Sequence, residues 1–226
     1  MNKTALPAAG DWNTFWEQSS LRIPKEASWS KRRILDVMQP YVARGKYALD
    51  AGCGSGFFSA YFCDSGMRTT SLDYSSQALA LTKEKTRGRS QVIQADLLNP
   101  DLTNVIQERF DLIFSDGLLE HFEPDDQNLI LLNLKRLLKE EGVLITVVPN
   151  RWSPWELIRP LWMPGIQEKP FTLKELRNLH ERNALTILAQ GGINTLPLRF
   201  SGDLLFGATF GMLLYVITKK NEIAIR

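Results

Sequence analysis

The feature that most constrains this chain is a short apolar run that ends in an acid and leads directly into three glycines. The run covers residues 46–50 and ends in Asp50, and the glycines follow at alternate positions, Gly52, Gly54 and Gly56. Glycine adopts backbone angles that other residues avoid, and its lack of a side chain lets a ligand lie against the peptide. A carboxylate at a strand end can accept hydrogen bonds from hydroxyl or ammonium groups. The pattern therefore predicts a strand, a ligand-binding turn and a helix.

Two other glycine-rich loops agree less well with these residues. The phosphate loop of nucleoside triphosphatases has a Lys directly after its last glycine, whereas Phe57 follows Gly56 here. The dinucleotide-binding loop has the spacing G-x-G-x-x-G, which would require a third glycine at the position of Phe57. These differences argue against a phosphate loop, and they leave a nicotinamide-dependent oxidoreductase as a disfavoured alternative.

Two further acids follow predicted strands. Asp73 ends an apolar run about 20 residues after the glycine loop, where a βαβ unit places the acid that binds a ribose. Asp96 and Leu97 end a second run that begins at residue 91. Each acid alone is also compatible with a helix cap or a turn. Because ligands of open α/β sheets bind at the carboxyl ends of the strands, the shared position of the three acids favours a binding site.

These segments, in this order, resemble the class I S-adenosylmethionine (SAM)-dependent methyltransferases. The resemblance covers residues 46–149 and includes residues 116–122, which are similar to the fourth motif of that family. It implies an α/β fold with a Rossmann-like, seven-stranded, mostly parallel sheet, helices on both faces and an antiparallel last strand. It also implies SAM as cofactor and S-adenosylhomocysteine (SAH) as its product.

The resemblance assigns roles to individual residues. The glycine loop is expected to hold the methionine end of the cofactor, Asp73 the ribose, and Asp96 with the next backbone amide the adenine. The expected cofactor-binding residues are Asp50, Gly52, Cys53, Gly54, Gly56, Asp73, Tyr74, Asp96, Leu97 and Ser115.

The titratable residues His121, Glu120 and His180 have different expected roles. His121 follows the fourth predicted strand and is the candidate general base, since an unperturbed His has a pKa of about 6.5. A hydrogen-bonding role in shaping the pocket is the favoured alternative. Glu120 is expected to be an ordinary helix or loop acid, and His180 is expected at the surface or a boundary.

Tryptophan-rich segments are the candidate acceptor pocket. The resemblance implies that the regions before the first sheet helix, after the fifth strand and between the last two strands cover the cofactor. The candidate substrate residues are Trp12, Trp16, Trp152, Trp155 and Arg199. Aromatic walls suit a planar or apolar acceptor and favour a sulfonium through cation–π contact. Two alternatives are an additional packing layer and a membrane-surface contact by residues 162–164 with Arg151 and Arg159.

Hydrophobic periodicity and turn residues predict the order of the elements. Helices are expected at 28–44, 55–65, 75–87, 125–140 and 173–183, the last with a capping box from Thr172 and Glu175. Strands are expected at 46–50, 68–73, 91–95, 111–115, 143–148, 185–190 and 212–218. This alternation predicts a parallel sheet with right-handed crossovers. Residues 1–226 are expected to form one domain, with residues 1–45 as a helical cap and 150–170 and 193–211 as acceptor-side insertions.

Composition narrows the class of protein. The chain has 226 residues, 44% of them hydrophobic, and a net charge of +2, which suits one compact domain and gives no clear nucleic-acid signal. The two cysteines, Cys53 and Cys63, indicate reduced thiols and a cytoplasmic setting rather than a disulfide framework. The two histidines are far apart in sequence, so no metal site is expected. Neither a signal peptide nor a membrane-spanning helix is expected.

The sequence therefore predicts a SAM-dependent methyltransferase that acts by in-line displacement on a small or medium-sized metabolite. Methylation of RNA or protein and a non-catalytic SAM-binding partner protein are the alternatives. The acceptor, the methylated atom and the oligomeric state stay open.

Overall fold

The computed structural model describes residues 9–20, 29–162, 168–196 and 201–221. The strands are β1 Tyr47–Ala51, β2 Arg68–Asp73, β3 Gln91–Gln94, β4 Phe110–Asp116, β5 Leu138–Pro149, β6 Leu185–Ile193 and β7 Leu213–Lys220. The helices are α1 Ala9–Ser20, α2 Trp29–Met38, α3 Phe57–Asp64, α4 Ser76–Lys85, α5 Leu102–Val105, α6 Pro124–Leu137, α7 Trp155–Trp162, α8 Leu173–Arg182 and α9 Asp203–Phe210. Single 3-10 turns cover Gln39–Tyr41 and Leu119–His121.

The strands form one seven-stranded sheet in the order β3-β2-β1-β4-β5-β7-β6. The pairs from β3 to β5 are parallel, and β7 lies antiparallel between β5 and β6. This arrangement confirms the predicted fold class, including the antiparallel last strand. The carboxyl ends of β1, β2 and β4 therefore lie side by side at one edge, which positions the candidate site.

The central strands are buried on both faces. Successive residues of β4 alternate between two apolar clusters, with Ile113 in one cluster and Leu112 and Phe114 in the other. Side chains alternate along a strand, so each cluster occupies one face of the sheet. Burial on both faces explains why these strands are continuous apolar runs in the sequence rather than alternating ones.

Several predicted boundaries differ from the observed ones. The helix predicted at 28–44 ends at Met38, and a 3-10 turn containing Pro40 follows, since proline disrupts the helical hydrogen-bond ladder. The helix predicted at 125–140 ends at Leu137 because Leu138 already pairs with Phe110 at the start of β5. The segment 193–211, predicted as a loop, contains α9, which starts after Gly202 in a left-handed conformation. The prolines of 150–170 do not prevent the eight-residue helix α7.

The predicted surface position of His180 is wrong. Its side chain is fully buried between α8 and β7, with Nδ1 3.3 Å from Thr218 Oγ1. Leu176 and Leu179 are buried on the same helix, so His180 belongs to the face that packs on the sheet. Burial lowers the pKa of His180 to about 3, which keeps the ring neutral. The predicted capping box is confirmed: Thr172 accepts from the Glu175 amide, and the Glu175 carboxylate accepts from the Thr172 amide.

None of the helices in the described part of the chain combines the length and the apolar character needed to cross a membrane.

Candidate cofactor and acceptor site

The glycine loop leaves the carboxyl end of β1 in a conformation that favours glycine. Gly52, Gly54 and Gly56 have φ values of 73°, 50° and 73°, in the region that side chains disfavour. The Gly52 and Cys53 amides donate to the Leu72 carbonyl at 2.8 and 3.0 Å, which fixes the loop against β2. The loop therefore lies against β2 at the edge of the sheet, where it lines cavity B.

Two acids accept backbone hydrogen bonds at the ends of the neighbouring strands, and one of them bonds to this loop. Asp73 accepts from the Gly54 amide through Oδ2 and from the Ser75 amide through Oδ1, both at 2.9 Å. Asp96 accepts from the Leu98 amide at 2.8 Å. Burial raises the pKa of Asp73. A carboxylate has about four acceptor positions, so both acids keep capacity for hydroxyl or amino groups of a ligand.

Two adjoining cavities open at this edge. Cavity A has a volume of about 260 Å³ and lies over the ends of β2 and β3; its walls include Leu72, Asp73, Tyr74, Asp96, Leu97 and Leu118. Cavity B has a volume of about 220 Å³ and lies beside the glycine loop; its walls include Asp50, Cys53, Gly54, Asp116, Glu120 and Glu168. Both cavities share Trp12, Trp16, Gly52, Gly117 and His121. One ligand can therefore extend from one cavity into the other.

Helix α1 forms a roof over both cavities. Asn13 Oδ1 accepts from Ser75 Oγ at 2.6 Å, which attaches α1 to the start of α4. The Trp12 ring meets the His121 ring edge-on, with centroids 4.9 Å apart. The Trp16 ring lies on Gly54, since a Cβ atom at that glycine would be 2.5 Å from Trp16 Cζ2. The aromatic face of α1 thus limits access of water to the site.

Burial raises the pKa values of the carboxyl groups that line cavity B. Burial raises the pKa of Asp50 to about 7 and that of Asp116 to about 6. It also raises the pKa of Glu120 well above its usual range, and that of Glu168. Lys31 lines the same cavity 4.3 Å from the centre of the Phe57 ring, and burial lowers its pKa.

Asp50 has a defined internal partner. Its side chain is 2% exposed, and Oδ2 accepts from Ser59 Oγ at 2.6 Å. Ser71 Oγ in turn donates to Ser59 Oγ at 2.7 Å. This chain of hydroxyls orients the carboxyl group from behind, while Asp50 lines cavity B.

Most predicted site residues lie at the cavities, although their roles stay predictions. Those that line a cavity are Asp50, Gly52, Cys53, Gly54, Asp73, Tyr74, Asp96, Leu97, His121, Trp12 and Trp16. Gly56 instead allows α3 to approach α4, because a Cβ there would be 2.7 Å from Thr82 Cα.

Of the four remaining predicted site residues, three line neither cavity and one lies outside the described residues. Ser115 is buried in β4, its hydroxyl has no hydrogen-bond partner in the described structure, and it lines neither cavity. Trp152 is 63% exposed and, like Trp155, lines neither cavity. Arg199 lies outside the described residues.

The predicted membrane contact falls largely outside the described structure. Residues 163 and 164 are not described. Of its two arginines, Arg151 lies 2.9 Å from Glu175, and Arg159 lies 3.2 Å from Glu168. Both guanidinium groups therefore make ion pairs within the protein.

Sequence reasoning missed several residues that line cavity B, among them Phe15, Lys31, Asp116, Glu120 and Glu168. Asp116 and Glu120 were within the recognised fourth motif, so their position after β4 was an available signal. Glu168 had no such signal, because it reaches the cavity only where the chain returns and the Lys169 amide donates to the Glu120 carbonyl at 2.9 Å. No group of three or more His, Cys, Asp or Glu side chains in the described ranges is arranged to hold a metal ion.

Comparison with known proteins places this site in a family. A family profile described as "Methyltransferase domain" matches residues 49–146. The malonyl-[acyl-carrier protein] O-methyltransferase of Enterobacter lignolyticus is 30% identical over 177 residues, which are 77% of this chain and 67% of that protein. That of Hamiltonella defensa is 27% identical over 145 residues, 64% of this chain and 52% of that protein. The ubiquinone biosynthesis O-methyltransferase of Bartonella quintana is 29% identical over 171 residues, 68% of this chain and 65% of that protein. The chain thus spans between about half and two thirds of the length of these relatives.

Solved structures share the fold at low sequence identity. A SAM-dependent methyltransferase from Archaeoglobus fulgidus has a TM-score of 0.68 and 17% identity, with 92% of this chain and 99% of that chain covered. The 1,6-didemethyltoxoflavin-N1-methyltransferase of Burkholderia thailandensis, with S-adenosylhomocysteine bound, has a TM-score of 0.67 and 18% identity, with 98% of this chain and 94% of that chain covered.

The residues at the edge of the sheet suit SAM. Asp73 and Asp96 keep acceptor positions in an otherwise apolar cavity A, as a ribose diol and an adenine amino group require. Cavity B presents glycine backbone together with Asp50 and Lys31, which complement the charged groups of an amino acid. On this geometry and the matches above, the chain belongs to the class I SAM-dependent methyltransferases, and SAM is its cofactor.

Proposed function

We propose that the protein transfers the methyl group of SAM to a small or medium-sized metabolite. The observation that supports this function best is the pair of adjoining cavities under α1. Cavity A has the donors, acceptors and apolar walls suited to a nucleoside, and cavity B continues past the glycine loop to Glu120 and His121. A site that holds the cofactor across both cavities leaves the far part of cavity B for an acceptor.

The cofactor-binding roles follow from position and chemistry. Asp73 would accept from the ribose hydroxyls and Asp96 from the adenine amino group. Asp50 would accept from the ammonium group of the methionine end, and Lys31 would pair with its carboxylate. When bound, the cofactor supplies a methyl group on a positively charged sulfur, which makes that carbon electrophilic.

The contribution of the protein to such a reaction is mainly positioning and the exclusion of water. In-line displacement requires the acceptor atom about 3 Å from the methyl carbon. Trp12, Phe15 and Trp16 line the cavities from α1, so they would limit the acceptor's orientations and keep water from the reacting atoms. His121 lies at the junction of the two cavities, where it would orient the acceptor or accept its proton.

The size and lining of cavity B, where the acceptor would bind, favour a small molecule over a polymer. Cavity B has a volume of about 220 Å³, and Trp12, Phe15 and Trp16 of α1 form part of its lining. The name of the Bartonella quintana relative, which refers to ubiquinone biosynthesis, supports an acceptor of metabolite size. We assign residues 1–45 to a helical cap on this side, and 150–170 and 193–211 to segments beside it.

Calorimetry and a labelling assay test this function. The purified protein should bind SAM and SAH, and label from methyl-labelled SAM should pass to the small-molecule fraction of a cell extract. The variant Asp73→Asn should weaken binding, whereas Asp64→Asn, at an exposed position at the end of α3, should leave it unchanged. Protein that ignores both SAM and SAH, or that labels only macromolecules, would contradict the proposal.

A further inference from the structure

Cavity B carries an acidic wall, defined as Asp116, Glu120 and Glu168. These residues come from the end of β4, the 3-10 turn after it, and the segment before α8. All three line cavity B. Asp50, beside the glycine loop, is the proposed partner of the ammonium group of the cofactor. The acidic wall therefore adds negative charge beyond what the cofactor requires.

Glu120 has an unused hydrogen-bonding atom inside this wall. The residue is 2% exposed, and its Oε2 atom has no hydrogen-bond partner in the described structure. Its backbone is held in place, because the Glu120 carbonyl accepts from the Lys169 amide at 2.9 Å. A buried polar atom without a partner costs free energy, so a ligand group that donates to Oε2 would remove that cost.

The charges facing Glu120 from each packed element are mostly negative. Asp116 and Glu168 act on it from β4 and from the segment after α7, and Arg159 acts on it from α7. Arg159 lies 3.1 Å from Glu156 and 3.2 Å from Glu168, so its charge is shared between two carboxylates. Lys31 of α2 and Asp50 of β1 complete the charged groups of the cavity lining.

This arrangement discriminates between classes of acceptor. A carboxylate would add a negative charge beside three acids and would be repelled. An alcohol could donate one hydrogen bond to Oε2 but would leave the charge of the wall uncompensated. An ammonium group donates up to three hydrogen bonds and carries the compensating charge. The aromatic rings of Trp12 and Phe15 in the same cavity also attract cations.

Building on the proposed methyltransferase function, we propose that the acceptor is a small amine attached to an aromatic group through an alkyl chain, and that Glu120 binds its nitrogen and takes its proton. The bound ammonium group loses a proton to the Glu120 carboxylate, and the nitrogen lone pair of the resulting amine then forms the N–C bond to the methyl group. The C–S bond breaks, and its electron pair goes to sulfur, which becomes neutral. Burial raises the pKa of Glu120, so its carboxylate form is a stronger proton acceptor than that of an exposed glutamate.

The binding test uses three probes with the same aromatic skeleton: phenethylamine, 2-phenylethanol and 3-phenylpropanoate. Each is titrated by calorimetry into protein saturated with SAH. The amine should bind about tenfold or more tightly than the alcohol and the carboxylate, as expected for a charge-assisted hydrogen bond. Undetectable amine binding, or binding of either other probe that is equal or tighter, would overturn the inference.

The matched variants are Glu120→Gln in the wall and Glu123→Gln outside it. Glu123 is exposed and pairs with Lys169, so its variant should behave as wild type. Glu120→Gln should lose the preference for phenethylamine and lower its rate of methylation by about 100-fold, with SAH affinity unchanged. An unaltered rate would refute the proton-accepting role. The wild-type probe comparison does not depend on this variant's folding.

Binding of SAH separates this inference from the function on which it rests. Wild-type protein that binds SAH but shows no preference for the amine refutes only the acceptor assignment. Wild-type protein that does not bind SAH refutes the proposed function itself.

Discussion

The substitution Asp50→Asn should stabilise the protein without its cofactor, increasingly so as pH rises. Burial first, and the charges of Asp116 and Asp73 to a smaller extent, raise the pKa of Asp50 from 3.8 to about 7. The folded-state pKa therefore lies above the unfolded value. The stability contributed by the neutral carboxyl is fully present below 3.8 and is lost as pH rises through about 7.

The size of the effect follows from the two pKa values. At neutral to alkaline pH, ionising this buried carboxyl costs the folded state about 4 kcal/mol. At about pH 5 the cost is only about 2 kcal/mol, because much of the folded protein still holds the proton. Asparagine has no charge to ionise, and its carbonyl can accept from Ser59 Oγ as Asp50 does. The free energy of unfolding of the variant should therefore exceed that of the wild type by about 2 kcal/mol at about pH 5 and by about 4 kcal/mol at neutral to alkaline pH.

Urea unfolding of both proteins from about pH 5 to about pH 8 measures this difference. Asp64→Asn is the control, because Asp64 is exposed and paired with Arg89. The same Asn variant should bind SAH more weakly, since it loses the carboxylate proposed to hold the ammonium group. A difference in stability that does not change with pH, or an Asn variant less stable than wild type at pH 8, would refute the assigned cost of burying Asp50.

Three further substitutions test the site. Asp73→Ala should weaken SAH binding by about tenfold or more, measured by calorimetry, because it removes a charged hydrogen-bond acceptor; unchanged affinity would remove Asp73 from the site. Gly54→Val should abolish SAH binding, since its Cβ would meet the Trp16 ring at 2.5 Å and its φ is 50°, and normal binding in the same titration would contradict this. His121→Ala should lower the maximal methylation rate by about tenfold, because His121 lines both cavities and would orient the acceptor; an unaltered rate would leave it a structural role.

The parts of the site that could be predicted from sequence depend on local rules. Asp50, Asp73 and Asp96 each follow a short apolar strand, and the topology of a parallel sheet then brings such positions to one edge. The glycine spacing similarly predicts its own backbone conformation, because the φ requirement is a property of single residues. These features needed no knowledge of which distant segments pack together.

The parts that were missed depend on contacts between distant segments. The sequence analysis expects His180 at the surface or a boundary, yet α8 packs on the sheet through the face that contains His180. Glu168 follows a segment without periodicity and reaches cavity B only through the contact of residue 169 with Glu120. Pairing of Leu138 with Phe110 likewise overrode a helical pattern, as tertiary contacts often override local propensity.

The glycine loop shows how a correct prediction can rest on an incomplete reason. The spacing was interpreted as room for a ligand, but added Cβ atoms at Gly54 and Gly56 would meet Trp16 and Thr82 of the protein itself. Two of the three glycines are therefore also required for packing of α1 and α4 against the loop. Because Trp16 lines both cavities from α1, the same contact that demands a glycine also builds the roof of the site. The glycine spacing thus reflects the packing of α1 over the cavities as well as the room needed for the cofactor.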